Sequence, residues 1–414
     1  MDFIPITRVR RTFPADRLTD IEASVSEELI HCGVNLQPGS RIAIAVGSRG
    51  IAELDRFVRA VVQWVRRCGA EPFIVPAMGS HGGATAEGQR AVLAAYGVTE
   101  ENVGCPVRSS MEVVELPQGD LPTKVFLDRQ AASADNTILI NRIKMHTSFR
   151  GRYESGLMKM IAVGLGKHAQ AQALHRLGVD GLREMMPRVA GRILTHGNIL
   201  LGLAIVENAY DEPMLVRAIR APDIPAEEPA LLDIARANMP ALPVDRLDVL
   251  IVDQIGKDIS GLGMDPNVIG RLKIRGQPEP KSPDIRVITI HDLSSASHGN
   301  AIGMGLADII TRRLFDKIDF TSTYANVLTT TFLERAKVPI IADTDREAVR
   351  MALQACPVSR PDEVRLIRIR NTLRLDDLQV SLPVLNEIRT LPGIQVSGSV
   401  ESLFDSAEAL RPWT

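Results

Sequence analysis

Short apolar runs alternate with segments of helical spacing near the start of the chain, and this alternation is the strongest constraint on its fold. Residues 41–47 (RIAIAVG) are almost entirely apolar, residues 51–67 carry apolar side chains at helical spacing, and residues 72–77 (PFIVPA) are again strand-like. A strand, a helix and a second strand in this order predict a βαβ unit and therefore a parallel sheet. Further strands are predicted at residues 137–141 and 198–206.

A proline-rich segment interrupts this pattern. Residues 221–244 contain five prolines around a short helical pattern, which is typical of a segment that links two domains. Strand-like runs resume after it, at residues 247–253 and 285–291. We therefore expect two α/β domains with mostly parallel, Rossmann-like sheets, residues 1–235 and residues 236–414, and an active-site cleft between them.

The composition excludes several classes of partner. The 414 residues include 48 basic and 50 acidic side chains, a net charge of −2, and only 4% of them are aromatic. Nucleic-acid binding normally needs a positively charged surface or aromatic side chains on which bases stack, so we expect no nucleic-acid partner. Because the sequence contains no apolar run of about eighteen residues and no apolar leader, we expect a cytoplasmic protein without membrane contact.

Polar residues follow the first two predicted strands, at the edge of a parallel sheet where ligands bind. Arg49 lies between such a strand and a helix start, where free N–H groups favour anions, and it suits a carboxylate or a phosphate. The alternative interpretation, which the motif supports equally well, is a solvated arginine in a capped turn. His81 follows the next strand among three glycines, which favours an acid/base or ligand role over a core position.

The densest group of candidate residues lies between residues 141 and 175. His146 emerges after a predicted strand, and His168 and His175 follow in a glycine-punctuated stretch. Lys159 has apolar neighbours, an environment that lowers the pKa of an amine and makes it nucleophilic. The more usual interpretation of such a position is a surface lysine whose ammonium reaches solvent. The basic residues of this stretch predict either an electropositive pocket or a solvated face: Arg142, Lys144, Arg150 and Arg152.

These motifs, between about residues 35 and 210, resemble the nickel-pincer lactate racemase family, the nickel-dependent 2-hydroxyacid racemases and epimerases. In that family two histidines act as a paired acid and base. Gly79-Ser80-His81 resembles the motif of the first histidine, and His146 resembles the second. Arg49 is similar to the arginine that holds the substrate carboxylate.

The resemblance also implies a cofactor. The family joins a lysine covalently to a pyridinium dithio-mononucleotide that holds nickel, and Lys159 resembles that lysine. His175 follows Lys159 by sixteen residues, the spacing of the family's nickel ligand, while His168 is a competing candidate. The family's Ser-Gly-Gly-x-Lys segment is here Ser155-Gly156-Leu157-Met158-Lys159, so bulkier residues adjoin the lysine.

Two segments of the second half carry further candidates. Lys257 lies in a glycine-rich loop predicted after a strand, and it is similar in placement to a substrate-binding lysine of the lactate enzyme. His298 precedes a helix-like stretch at residues 301–314, and a helix start favours anions. Both residues are predicted to contact substrate, with ordinary chain reversal as the alternative.

The resemblance therefore implies an isomerase that racemises or epimerises a small 2-hydroxy acid by hydride transfer, and that depends on cofactor-synthesis enzymes. The residues leave two alternatives open. One is a hydrolase or lyase in which His81, His146 and either His175 or His168 surround a divalent metal ion. The other is a non-catalytic protein that uses Arg49 to bind a carboxylate metabolite.

Overall fold

The structure is a computed structural model that describes residues 4–47, 50–358, 360–405 and 409–413. Arg49 lies outside the described residues, so its predicted role is carried forward from the sequence alone. Within these ranges, no helix has both the length and the apolar character needed to cross a bilayer.

Sixteen strands are present in the described part of the chain. They are β1 Pro5–Arg11, β2 Arg41–Val46, β3 Glu71–Pro76, β4 Val113–Leu116, β5 Val125–Asp128, β6 Asn136–Arg142, β7 Ile199–Glu207, β8 Pro213–Arg220, β9 Arg246–Ile255, β10 Asp284–Leu293, β11 Ile309–Thr311, β12 Ile340–Ala342, β13 Leu366–Ile369, β14 Asp377–Ser381, β15 Ile394–Val396 and β16 Glu401–Ser402.

The α-helices in the described residues range from single turns to four turns. They are α1 Ile21–His31, α2 Leu54–Arg67, α3 Ala86–Ala95, α4 Glu100–Val103, α5 Arg129–Ala132, α6 Leu157–Lys159, α7 Lys167–His175, α8 Gly178–Asp180, α9 Met186–His196, α10 Ile224–Ala237, α11 Pro266–Ile269, α12 Arg312–Phe315, α13 Phe320–Thr330, α14 Asp345–Gln354 and α15 Leu382–Ile388. Two π-helical segments, Met160–Gly164 and Gly181–Met185, lie on either side of α7.

The chain forms two compact units, and their composition differs from the predicted division after residue 235. One unit comprises residues 14–239, and the other combines residues 240–414 with residues 1–13. The first strand explains the difference, because β1 pairs antiparallel with β14, β15 and β16 near the other end of the chain. Such pairing joins residues hundreds of positions apart and leaves no local signal in the sequence.

A five-stranded sheet in the order β3-β2-β6-β7-β8 organises the unit of residues 14–239. All of its pairs are parallel except β7 with β8. The buried apolar runs of β2 and β6 form its centre, because β-branched and apolar side chains on both faces suit a strand covered by helices. The predicted strands at residues 41–47, 72–77, 137–141 and 198–206 are thus confirmed.

The other unit contains a nine-stranded sheet. Strands β12, β11, β10, β9 and β13 run parallel, and the antiparallel strands β14, β1 and β15 extend that order, with β16 also paired to β1. The five-stranded sheet is mostly parallel, half of the strand pairs in the nine-stranded sheet are parallel, and both sheets carry helices between their strands, so the expectation of an α/β fold is confirmed.

One local prediction was wrong. Residues 301–314 are not one helix, because a 3-10 turn at Met304–Leu306 leads into β11, where Ile309 and Ile310 are buried and pair parallel with β10. Burial in the sheet selects this strand over the local helical pattern. The proline-rich segment contains the helix that its pattern indicates, α10, which runs through Pro229 and buries Leu231 and Leu232. The boundary between the two units, after residue 239, falls within this segment.

Candidate functional site

The carboxyl ends of β3, β2 and β6 lie side by side on one edge of the five-stranded sheet. From β2 the chain crosses through α2 to β3 on one side, whereas from β6 it continues to β7 on the other side. These connections diverge between β2 and β6, and open parallel sheets bind ligands at such a point in the strand order. His81 follows β3 and His146 follows β6, so the two predicted acid/base residues begin on opposite sides of β2.

His81 lies in a tight loop after β3 and is half-buried. Its backbone N–H donates to the carbonyl of Met78 at 3.1 Å. Gly79, Gly82 and Gly83 have φ values of 62°, 64° and 67°, a left-handed conformation that favours glycine. The three glycines around His81 therefore serve the shape of the loop that presents the imidazole at the sheet edge.

Lys159 ends α6 and is half-buried between the buried side chains of Met158 and Met160. The π-helical segment Met160–Gly164 begins directly after it, and such segments are frequent at functional sites. The carbonyl of Gly164 accepts a hydrogen bond from the backbone N–H of Gly79 at 3.3 Å. The fold thus packs the loop of His81 directly against the turn that follows Lys159.

Two polar side chains hold the start of α6 in place. The Nδ2 of Asn141, in β6, donates to the carbonyl of Gly156 at 2.9 Å. The buried Glu228 accepts from the backbone N–H of Met158 at 2.7 Å, and a Cβ atom on Gly156 would lie 2.4 Å from its Oε1. Burial raises the pKa of Glu228 to about 7. Sequence reasoning missed this residue, because a glutamate in a proline-rich segment gives no signal of burial.

His146 lies in a closed loop after β6. Backbone hydrogen bonds between Lys144 and Ser155, at 2.8 and 3.1 Å, close the loop at its base. Inside it, the buried Glu154 accepts from the backbone N–H of His146 at 2.7 Å. The Nδ1 of His146 accepts from the backbone N–H of Ser148 at 3.0 Å, so the neutral imidazole carries its proton on Nε2.

The structure separates the two candidate metal ligands of α7. His168 is exposed, whereas His175 is half-buried at the end of the helix. Burial and, secondly, the charge of Lys159 lower the pKa of His175, which favours the neutral imidazole that metal ions bind. Lys159 therefore lies within electrostatic range of His175.

A divalent ion held only by side chains needs several ligands together. In the described part of the chain, no group of three or more His, Cys, Asp or Glu side chains is arranged to hold a metal ion. The alternative of a hydrolase or lyase built around such an ion has no supporting observation in these residues.

The basic run around His146 does not form one electropositive pocket. Arg142 pairs with the buried Glu207, and Arg150 donates to the carbonyl of His146 at 2.6 Å and lies 3.8 Å from Glu154. Lys144 and Arg152 are exposed. Arg142 and Arg150 thus hold the strand end and the loop that carry His146.

Lys257 belongs to the other unit, in a loop after β9. Its ammonium donates to the carbonyl of Gly261 at 2.7 Å and to Oδ1 of Asn326 at 2.8 Å. Its backbone N–H donates to Oγ of Ser297 at 3.1 Å, which joins this loop to the one that follows β10. In the structure Lys257 thus makes contacts that hold these loops together.

His298 is exposed in the loop after β10, with a left-handed φ of 47°. It does not precede the predicted helix, because β11 follows instead. His291, at the end of the same strand, has the buried structural role that its position suggests. Its Nδ1 lies 2.9 Å from Oδ1 of Asp345, and its Nε2 lies 3.0 Å from Oγ1 of Thr289.

Comparisons with known proteins agree with this architecture. A family model described as a domain of unknown function (DUF362) matches residues 51–223. The solved structure of the lactate racemase apoprotein from Thermoanaerobacterium thermosaccharolyticum has a similar fold, with a TM-score of 0.53 and 12% sequence identity over 88% of this chain and 94% of that chain. No curated protein matches the sequence significantly. At this identity the likeness establishes the fold.

Proposed function

We propose that this chain is an isomerase that racemises or epimerises a small 2-hydroxy acid with a nickel-pincer nucleotide bound through Lys159. The observation that carries the proposal is the packing of the loop of His81 on the turn that follows Lys159, a lysine whose charge also acts on His175. The likeness in fold to a lactate racemase apoprotein supports the same proposal.

The residues present fit such a cofactor. A half-buried primary amine suits a covalent tether, and one neutral imidazole nearby suits a metal whose other ligands come from the cofactor itself. Lys159 would hold the nucleotide, and His175, in preference to the exposed His168, would ligate nickel. When bound, the group would supply a reversible acceptor for the hydrogen on the substrate's α-carbon.

The substrate hydroxyl then needs a partner on either side for its proton. We assign this role to His81 and His146, whose loops arise on opposite sides of β2. In the unloaded protein the Nε2 of neutral His146 carries the proton, so His146 can accept a substrate proton at Nε2 only when that proton moves to Nδ1 and the Ser148 N–H releases it. His81 lies on the shorter, glycine-shaped loop. Arg49, which follows β2 in the sequence, is proposed to bind the carboxylate and hold the substrate while its faces exchange.

The test is the intact mass and metal content of protein co-expressed with cofactor-synthesis enzymes. We expect a covalent adduct with nickel in the wild type, its loss in Lys159→Ala and its retention in Lys144→Ala, a nearby exposed lysine. Unmodified protein without nickel would overturn the proposal. An adduct would be followed by a chiral assay of small hydroxy acids, dicarboxylates and sugar acids, with His81→Gln and His146→Gln expected to lose turnover.

A further inference from the structure

Three fully buried polar side chains lie behind the loop of His81: Lys167 at the start of α7, Asp128 at the end of β5 and Gln89 in α3. The Nζ of Lys167 lies 3.0 Å from Oδ2 of Asp128 and 3.2 Å from Oε1 of Gln89. It also donates to the carbonyl of Pro76, the last residue of β3. The ammonium therefore joins three elements to the strand that precedes His81.

Lys167 sets the orientation of the Gln89 amide. An ammonium only donates hydrogen bonds, so the oxygen of the amide must face Lys167 and its nitrogen must face away. That nitrogen donates to the carbonyl of Gly79 at 2.8 Å and to the carbonyl of His81 at 3.4 Å. The Gln89 amide thus connects the buried ammonium of Lys167 to the backbone of the loop by hydrogen bonds.

The loop needs such support. Gly79, Gly82 and Gly83 adopt left-handed conformations, and glycines lose the most conformational freedom when they are ordered. A buried lysine and aspartate are costly, and apolar side chains of similar volume often stabilise a core at least as well. Stability alone therefore does not account for Lys167 at this position.

We propose that Lys167 and Gln89 are positioning residues for His81, which fix the two carbonyls that flank its loop and so hold the imidazole at the sheet edge. This inference rests on the proposed role of His81. Neither side chain is assigned a contact with substrate, and both act through the backbone of residues 79–81.

The main variant is Gln89→Met, which keeps the length of the side chain but removes both the acceptor and the donor. Lys167 keeps its contacts with Asp128 and Pro76 in this variant. The matched control is Gln170→Met. Gln170 is equally buried in the same unit, but it bridges the backbone N–H of Phe126 and the carbonyl of Lys124 instead of the His81 loop.

Hydrogen exchange of the unloaded protein supplies the decisive measurement. We expect amides 79–85 to exchange roughly tenfold faster in Gln89→Met and to be unchanged in Gln170→Met, since about one hydrogen bond of support is lost. The NMR signal of the His81 imidazole should shift only in Gln89→Met. Equal loop exchange in the two variants would overturn the proposal, even if both lower the melting temperature.

A second variant covers the case in which Gln89→Met does not fold. Gln89→Glu keeps an acceptor for Lys167, but the introduced carboxylate does not donate to the loop, so the same faster exchange is expected at pH 8. Neither readout needs the cofactor. If the wild type acquires no nickel adduct but the loop amides still exchange faster in Gln89→Met, the proposed function alone is refuted. If the wild type is loaded and active, and Gln89→Met changes neither loop exchange nor kcat, the positioning role alone is refuted.

Discussion

The amine of Lys159 and the imidazole of His175 are sixteen residues apart in the sequence, yet they lie close enough for the charge of one to act on the other. Burial and this charge together lower the pKa of His175. Both effects favour the neutral imidazole of His175 in the protein itself, before any cofactor is attached.

Lys159→Met should raise the pKa of His175 part of the way towards its ordinary value, because the substitution removes the charge but leaves the burial. An NMR titration of the imidazole signals in the unloaded protein measures the change. Lys144→Met serves as the control, since that exposed lysine is not among the charges that act on His175. An unchanged pKa in Lys159→Met would show that burial alone is responsible.

Glu228→Gln should stabilise the protein at neutral and alkaline pH. Burial raises the pKa of Glu228 from 4.5 to about 7, so the folded state holds this proton more tightly than the unfolded chain. The resulting destabilisation is absent below pH 4.5, grows between pH 4.5 and 7, and remains above that range. The variant avoids it, and we expect a gain of about 3 kcal/mol in the free energy of unfolding.

Urea denaturation at pH 5 and at pH 8 tests this expectation. The difference between Glu228→Gln and the wild type should be larger at pH 8. Glu227→Gln is a suitable control, because Glu227 is the exposed neighbour in the same helix. A variant that is less stable than the wild type at pH 8 would show that the carboxylate is needed to cap α6.

His146 should populate one neutral tautomer. The hydrogen bond from the backbone N–H of Ser148 to Nδ1 requires a lone pair there, so the proton resides on Nε2. Nitrogen-15 NMR of the imidazoles distinguishes the tautomers directly. His298, which is exposed, should show a mixture under the same conditions. A protonated Nδ1 in neutral His146 would contradict the loop geometry described above.

Asp345→Asn should lower the stability of the other unit. Burial by itself would raise the pKa of Asp345, but hydrogen bonding and the charge of His291, with the N–H of Leu410 and the charge of Arg313, lower it to about 2. This stabilisation is present above the ordinary pKa of 3.8 and is lost as the pH falls towards 2.

At pH 7 we expect a loss of about 2 kcal/mol in the free energy of unfolding of Asp345→Asn. Denaturant titrations should show that this difference shrinks between pH 4 and pH 2. Asp343→Asn, at an exposed position two residues earlier, controls for the loss of a surface charge. Equal stability of the two variants at pH 7 would mean that the contacts of Asp345 are not stabilising.

Sequence patterns predicted those elements whose signal is local. The strands β2, β3, β6 and β7 are apolar runs bounded by polar turns, and the structure contains each of them within a few residues of the predicted bounds. The parallel direction followed from the helices between them. The spacing of His175 from Lys159 was likewise visible, because it lies within one stretch of chain.

Other features had no local signal. The burial of Glu228, Gln89 and Lys167 depends on elements far apart in the sequence, and polar residues of this kind are usually exposed. His168 and His175 are seven residues apart and so lie on the same side of α7, and the tertiary structure covers that side only towards the end of the helix where His175 lies.

The sequence by itself determined the α/β class, the order of the elements in the five-stranded sheet's unit and the residue types at its strand ends, because periodicity and turn chemistry act over a few residues. Only the tertiary structure decided that β1 joins the far end of the chain, that residues 309–311 form a strand, and which histidine lies near Lys159. Strand pairing and burial are set by contacts between distant segments, and their free energies outweigh local preference.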